Sequence, residues 1–131
     1  MTETEDDFAA PAKPASRGEA RRQAFLEAAT VVFLEQGYEA ASVNEVVRRA
    51  GGSLATLYAQ FGNKDGLFIA VVEESTESFA QLLLKTADHA KPLADGLFYI
   101  GEAFLTGILN PGSLAFFRVM VGEGRKFPEI M

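Results

Sequence analysis

The sequence predicts an all-α fold, and three observations carry that prediction. After residue 16, apolar residues recur at spacings of three and four along almost the whole chain, the period of a helix face. Glycine, proline and asparagine punctuate the pattern at Gly37, Gly51-Gly52, Gly62, Pro92 and Asn110-Pro111-Gly112, where helices stop and start. No segment keeps strand alternation for long, and no internal repeat is visible.

Each element follows in order. Residues 1–16 set Glu3, Glu5, Asp6 and Asp7 against Lys13 and contain Pro11 and Pro14. They offer little apolar surface to offset ordering entropy, so they read as a disordered acidic leader. From Arg17 the residues Ala24, Phe25, Ala28, Ala29, Val32 and Phe33 mark a first helix that Gly37 stops. Ser42-Val43-Asn44-Glu45 has the spacing of a capping box, in which serine hydroxyl and glutamate carboxylate satisfy each other's backbone amides, and it opens a second helix. That helix presents Val43, Val46, Val47 and Ala50 to a core and ends at Gly51-Gly52. Ser53 caps a third, in which Leu54, Leu57, Tyr58 and Phe61 fall on one stripe before Gly62. Asn63 caps a fourth, carried to about Asp88 by Leu67, Phe68, Val71, Val72, Phe79, Leu82 and Leu83. Lys91-Pro92 breaks the chain, Leu93 to Leu109 gives a fifth helix, Asn110-Pro111-Gly112 a sharp turn and Ser113 to Gly122 a sixth.

Composition bounds what these helices can do. The chain has 131 residues, 48% of them hydrophobic, and no cysteine. A compact core is therefore within reach, while disulfides and thiolate metal sites are excluded. No apolar run approaches the roughly 20 residues of a membrane-spanning helix, and the N-terminus is acidic where a secretory signal is basic. A cytoplasmic protein with no membrane partner is expected. The net charge of -6 argues against a broad positive field for nucleic acid. Residues 17–66 are balanced, however: Arg17, Arg21, Arg22, Arg48, Arg49 and Lys64 stand against Glu19, Glu27, Glu35, Glu39, Glu45 and Asp65, and a local basic patch remains open.

Two short helices joined by a tight glycine turn, behind a longer one, make a three-helix, homeodomain-like helix-turn-helix arrangement over residues 17–66. A helix entering a major groove about 12 Å wide needs a slim outer face, which Ala55, Thr56 and Ala59 supply. Leu57 and Phe61, opposite, are expected to pack on Val46, Val47 and the first helix. Generic three-helix packing uses the same ingredients, so periodicity alone leaves both readings open.

The stretch from Arg21 to Phe68, and above all A-G-G-S-x-A-T-L-Y-x-x-F-x-N-K-D-x-L-F, resembles the DNA-binding domain of the TetR family of transcriptional repressors. The segment P-G-S-L-A-F-F-R-V-M-V-G-E-G-R-K-F-P-E-I, Pro111 to Ile130, is similar to the ligand-domain region of one branch of that family. The resemblance implies that Ser53 to Phe61 is a recognition helix in which Ala55, Thr56 and Gln60 face bases or nearby backbone. By base chemistry, Thr56 offers a hydroxyl and a methyl, Gln60 suits an adenine edge and Ala55 a thymine methyl. It further implies that Tyr58 and Lys64 meet phosphates, and that Ser42 and Asn44 meet backbone and groove, contacts that position rather than specify. Leu54 stands where many relatives carry a polar or basic residue. Ser53 and Leu54 complete the DNA-facing set.

For residues 67–131 the resemblance implies part of a helical ligand-binding and dimerisation domain. A small apolar effector would enter a pocket with Phe79, Leu83, Phe98, Phe104, Phe116 and Phe117 as candidate lining. Helix four would transmit its binding to a homodimer on double-stranded operator DNA. The family's fold continues beyond the F-P-E-I segment, so a truncated domain with exposed apolar faces on helices five and six, and hence self-association, is expected. An enzyme is not: His89 beside Asp88 reads as a helix-terminal cation and Glu73, Glu74 and Glu77 as a solvated face, with no nucleophile, metal set or cofactor motif. The alternative is a truncated TetR-like helical interaction module that no longer binds DNA, which fits the acidic balance and Leu54.

Overall fold

The computed structural model describes residues 16–87 and 91–130; residues 1–15, 88–90 (including Asp88 and His89) and 131 lie outside the described residues. The described residues form six helices in order: α1 (Arg17–Ala40), α2 (Val43–Ala50), α3 (Leu54–Phe61), α4 (Lys64–Thr86), α5 (Leu93–Leu109) and α6 (Pro111–Glu123), with a 3-10 turn at Pro128–Ile130. The chain is all-α, as its periodicity predicts.

Local chemistry fixes the boundaries, with three departures from expectation. Ser16, placed in the leader by composition, is the N-cap of α1: its hydroxyl accepts from the Glu19 amide at 3.1 Å, and the Glu19 carboxylate accepts from the Ser16 amide at 3.0 Å. This is the full reciprocal box expected at Ser42, where only half forms. The Ser42 hydroxyl accepts from the Glu45 amide at 3.4 Å, but the Glu45 carboxylate is taken by Arg48 and Arg49 and does not turn back. Finally, α6 begins two residues before Ser113. Asn110 caps it through the Ser113 amide at 2.9 Å and Pro111 takes the first turn, where its ring costs no hydrogen bond. At Gly37 the backbone of α1 breaks with φ 72, the expected stop, leaving Tyr38 to Ala40 as a terminal turn.

The core gathers α1, α2, α3 and the first half of α4. Phe25, Val32, Phe33, Val46, Leu57, Leu67, Phe68 and Val71 are fully buried. Phe33 meets Phe68 edge-on at 5.1 Å between ring centres, and Phe25 meets Phe61 at 6.4 Å. Because α4 is continuous, its residues Leu67 to Val72 belong to this core although they lie past residue 66. Phe127, from beyond α6, joins it as well.

The second half is thinner. Neither α5 nor α6 buries a residue. α5 turns its half-buried positions Gly96, Ile100, Ala103 and Gly107, spaced as one helix face, toward its neighbours. At Gly107 the Phe79 ring occupies the space a Cβ would need, which brings α4 and α5 close together. Among the described residues no single helix is long and apolar enough to cross a membrane; α5 and α6 together are, but they bend by 67° at Asn110.

Candidate nucleic-acid interface

The turn between α2 and α3 is built from the glycine pair upward. Gly51 and Gly52 have φ 79 and φ 89, a region that L side chains rarely adopt. Gly52 also sits so close to α1 that a Cβ there would stand 3.2 Å from both Phe25 Cζ and Arg21 Cδ. Arg21 Nη1 donates to the Ala50 carbonyl oxygen at 3.0 Å, tying α1 to the last turn of α2. Sequence reasoning counted Arg21 only as a charge; the structure makes it the clamp of the turn.

This turn sets which face of α3 looks outward. Leu57 and Phe61 are buried, and the Arg22 guanidinium lies over the Phe61 ring at 4.6 Å. The apolar stripe is narrower than expected: Leu54 is half-buried, and Tyr58 is 41% exposed and free of the core. Ala55, Thr56 and Ala59 are exposed beside it. Ser53 caps the helix through the Thr56 amide at 3.1 Å, and the Ser53 and Thr56 hydroxyls share a hydrogen bond of 2.8 Å. With one hydroxyl proton in that bond, the pair keeps one to donate and free lone pairs to accept. Ser42 and Asn44 are exposed at the start of α2.

The Gln60 carboxamide oxygen is buried with no hydrogen-bond partner, not extended from the helix. Lys64 Nζ donates to the Glu39 carbonyl oxygen at 3.1 Å and lies 4.7 Å from the centre of the Tyr38 ring. Arg48 and Arg49 end α2, but both are paired: each bonds Glu45, and Arg49 also reaches Glu35 at 2.7 Å. Hydrogen bonds from Arg48 and then Arg49 hold the Glu45 carboxyl down at about 2. The surface around α2 is therefore close to neutral.

A three-helix unit with a glycine turn at positive φ and small outward residues on α3 coincides with the sequence model "Bacterial regulatory proteins, tetR family", which matches residues 25–71. Over those residues the chain matches the TetR family. It is 38% identical over 88 residues to the transcriptional repressor ComR of Escherichia coli, covering 63% of this chain and 42% of ComR. It is 36% identical over 77 residues to the transcriptional activator FasR of Mycolicibacterium smegmatis, covering 56% of this chain and 35% of FasR. The chain thus spans about two fifths of the length of these curated relatives. The crystal structure of a chain assigned to the TetR family from Mesorhizobium loti superposes with a TM-score of 0.75 at 22% identity, covering 88% of this chain and 59% of that one; at that identity it shows the fold.

Behind this TetR-type unit lies a cleft of about 450 Å³. Thr30 and Leu34 of α1, Ser75, Thr76 and Phe79 of α4, and Asn110, Ser113, Phe116, Phe117 and Met120 at and along α6 line it. No charged side chain is among them, and the Thr30 and Thr76 hydroxyls already donate to carbonyls of their own helices. Of the six candidate pocket residues it brings together Phe79, Phe116 and Phe117. Leu83, Phe98 and Phe104 lie outside it: Phe104 meets Phe79 from α5 with tilted rings 5.7 Å apart, and Phe98 is 68% exposed on the outer side of α5.

Proposed function

We propose that the chain is the DNA-reading part of a ligand-responsive transcriptional regulator, a repressor that binds double-stranded operator DNA through α2 and α3. The observation that carries this reading is the outward face of α3, where Ala55, Thr56 and Tyr58 stand free over a rigidly buried Leu57 and Phe61. Such a face lets the backbone approach base edges while hydroxyls meet bases or phosphates. Residues 17–66 serve as the reading head and 67–131 as part of the effector half, with α4 common to both. The cleft suits an uncharged, largely apolar effector, since it lies within the size range of small-molecule sites, carries no charge and few free donors. The family is one of regulatory proteins, and no catalytic role enters the reading.

A homodimer completes it, because a two-fold axis places paired recognition helices about 34 Å apart, one turn of duplex. The competing reading, a helical interaction module that has left DNA behind, draws on the pairing of Arg48 and Arg49 with Glu45 and Glu35, which leaves few free cations near α2. Titration of the chain against a random duplex pool at low and moderate salt separates the two. Sequence-selective binding that weakens with salt, and that falls about tenfold in Tyr58→Phe through loss of one hydrogen bond to a charged group, supports the regulator. Absence of binding at low salt in an assembled dimer favours the module.

A further inference from the structure

Beside the helix-turn-helix, one short segment of α1 receives two lysines from distant parts of the chain. Glu39 accepts from Lys64 Nζ through its backbone carbonyl at 3.1 Å and pairs with Lys126 Nζ through its carboxylate at 3.2 Å. Both ammonium groups also lie against the Tyr38 ring, at 4.7 Å for Lys64 and 4.4 Å for Lys126. Phe127 is only 3% exposed; it meets Tyr38 edge-on at 5.1 Å and Phe68 at 5.3 Å. A residue from beyond α6 is thus built into the core of the reading head.

We propose that Tyr38, Glu39, Lys126 and Phe127 are positioning residues for Lys64, forming a seat that aims its ammonium at a DNA phosphate. The inference rests on the DNA-binding reading above. An unrestrained lysine must lose its rotamer freedom when it meets a phosphate; a seated lysine has lost it beforehand, which raises affinity without a new contact. The seat has the right chemistry. The ring face attracts a cation, and the Glu39 carbonyl oxygen accepts one of its hydrogen bonds. The carbonyl engages one of three N–H donors, leaving two for phosphate oxygens. Phe127 anchors the far side: its burial fixes the neighbouring Lys126 on Glu39, and Glu39 is the residue that holds Lys64.

The test is a titration of the whole chain against a mixed-sequence duplex across a salt series, with Phe127→Leu and Lys126→Met each made alone and together with Lys64→Met. Removal of one phosphate contact in Lys64→Met should lower the slope of log affinity against log salt by about 0.9 and weaken binding roughly eightfold at about 0.1 M salt. Phe127→Leu, which changes no charge, is expected to reproduce part of that loss when Lys64 is present and to add nothing once Lys64 is Met. Equal weakening in both backgrounds, or none in either, overturns the proposal and leaves the DNA-binding reading standing. Lack of salt-dependent binding by the unaltered chain assembled as a dimer overturns both. Should Phe127→Leu fold poorly, the exposed Lys126→Met carries the test through the part of its loss that disappears once Lys64 is Met, since its lost charge weakens binding equally in both backgrounds. Amine-specific labelling without DNA adds an independent readout: Lys64 should label faster in both variants, and an unchanged rate counts against the seat.

Discussion

At the scale of single residues, two constraints meet at Gly52. Its positive φ excludes a comfortable side chain, and Phe25 and Arg21 occupy the space where one would go. Gly52→Ala is expected to lower stability by about 1–3 kcal/mol, the range for a residue held in a sparsely populated backbone region, read as a drop in melting temperature. Gly66→Ala tests pure crowding, since a Cβ there meets the Phe61 carbonyl oxygen while φ is ordinary. Glu45 makes a prediction in pH. Its folded carboxyl sits at about 2 against an ordinary 4.5, chiefly through the hydrogen bond from Arg48. The unfolded chain therefore binds the proton first, and the stability this group adds is present above about 4.5 and is lost as pH falls toward about 2. Urea midpoints followed down this range should decline, and Glu45→Gln should decline less; parallel curves would show that the arginine cluster does not couple to folding.

At the scale of elements, the sequence made the six helices readable because their stops are chemical: Gly37, Gly51-Gly52, Gly62 and Pro92 act through backbone angle, which neighbours hardly alter. What depends on partners across space was not readable. Glu45 fits a capping box by spacing, yet two arginines one turn away outbid the Ser42 amide for its carboxylate. Tyr58 fits the apolar stripe of α3, yet the core closes on Leu57 and Phe61 and leaves it outside. The candidate site divides in the same way. Thr56 and Ala55 follow from helix phase, whereas the seating of Lys64 on Glu39 and the inward turn of the Gln60 oxygen depend on α1 and on the packing around α3. The phenylalanines show the limit most plainly: periodicity places Phe79, Phe98 and Phe116 on helix faces alike, and only the packing of α5 on α4 and of α6 on α1 decides which of them meet the cleft.

At the scale of the molecule, the two halves are held differently. The reading head has one continuous aromatic core, while α5 lies over α4 through a face rich in small residues and leaves Leu97, Phe98, Leu105 and Leu109 exposed on its outer side. Contiguous exposed apolar surface of this kind drives association, because burying it removes about 25 cal/mol of unfavourable hydration per Å². The chain is therefore expected to self-associate with rising concentration in sedimentation experiments. Phe98→Lys with Leu105→Lys places two like charges on that face, so the pair should shift the distribution toward monomer. Because neither side chain is buried, the same variant should unfold at nearly the temperature of the original chain when both are monomeric. A monomer that persists at high concentration in the unaltered chain would remove α5 from the interface. A loss of melting temperature in the variant would instead mean that α5 supports the fold more than its exposure indicates.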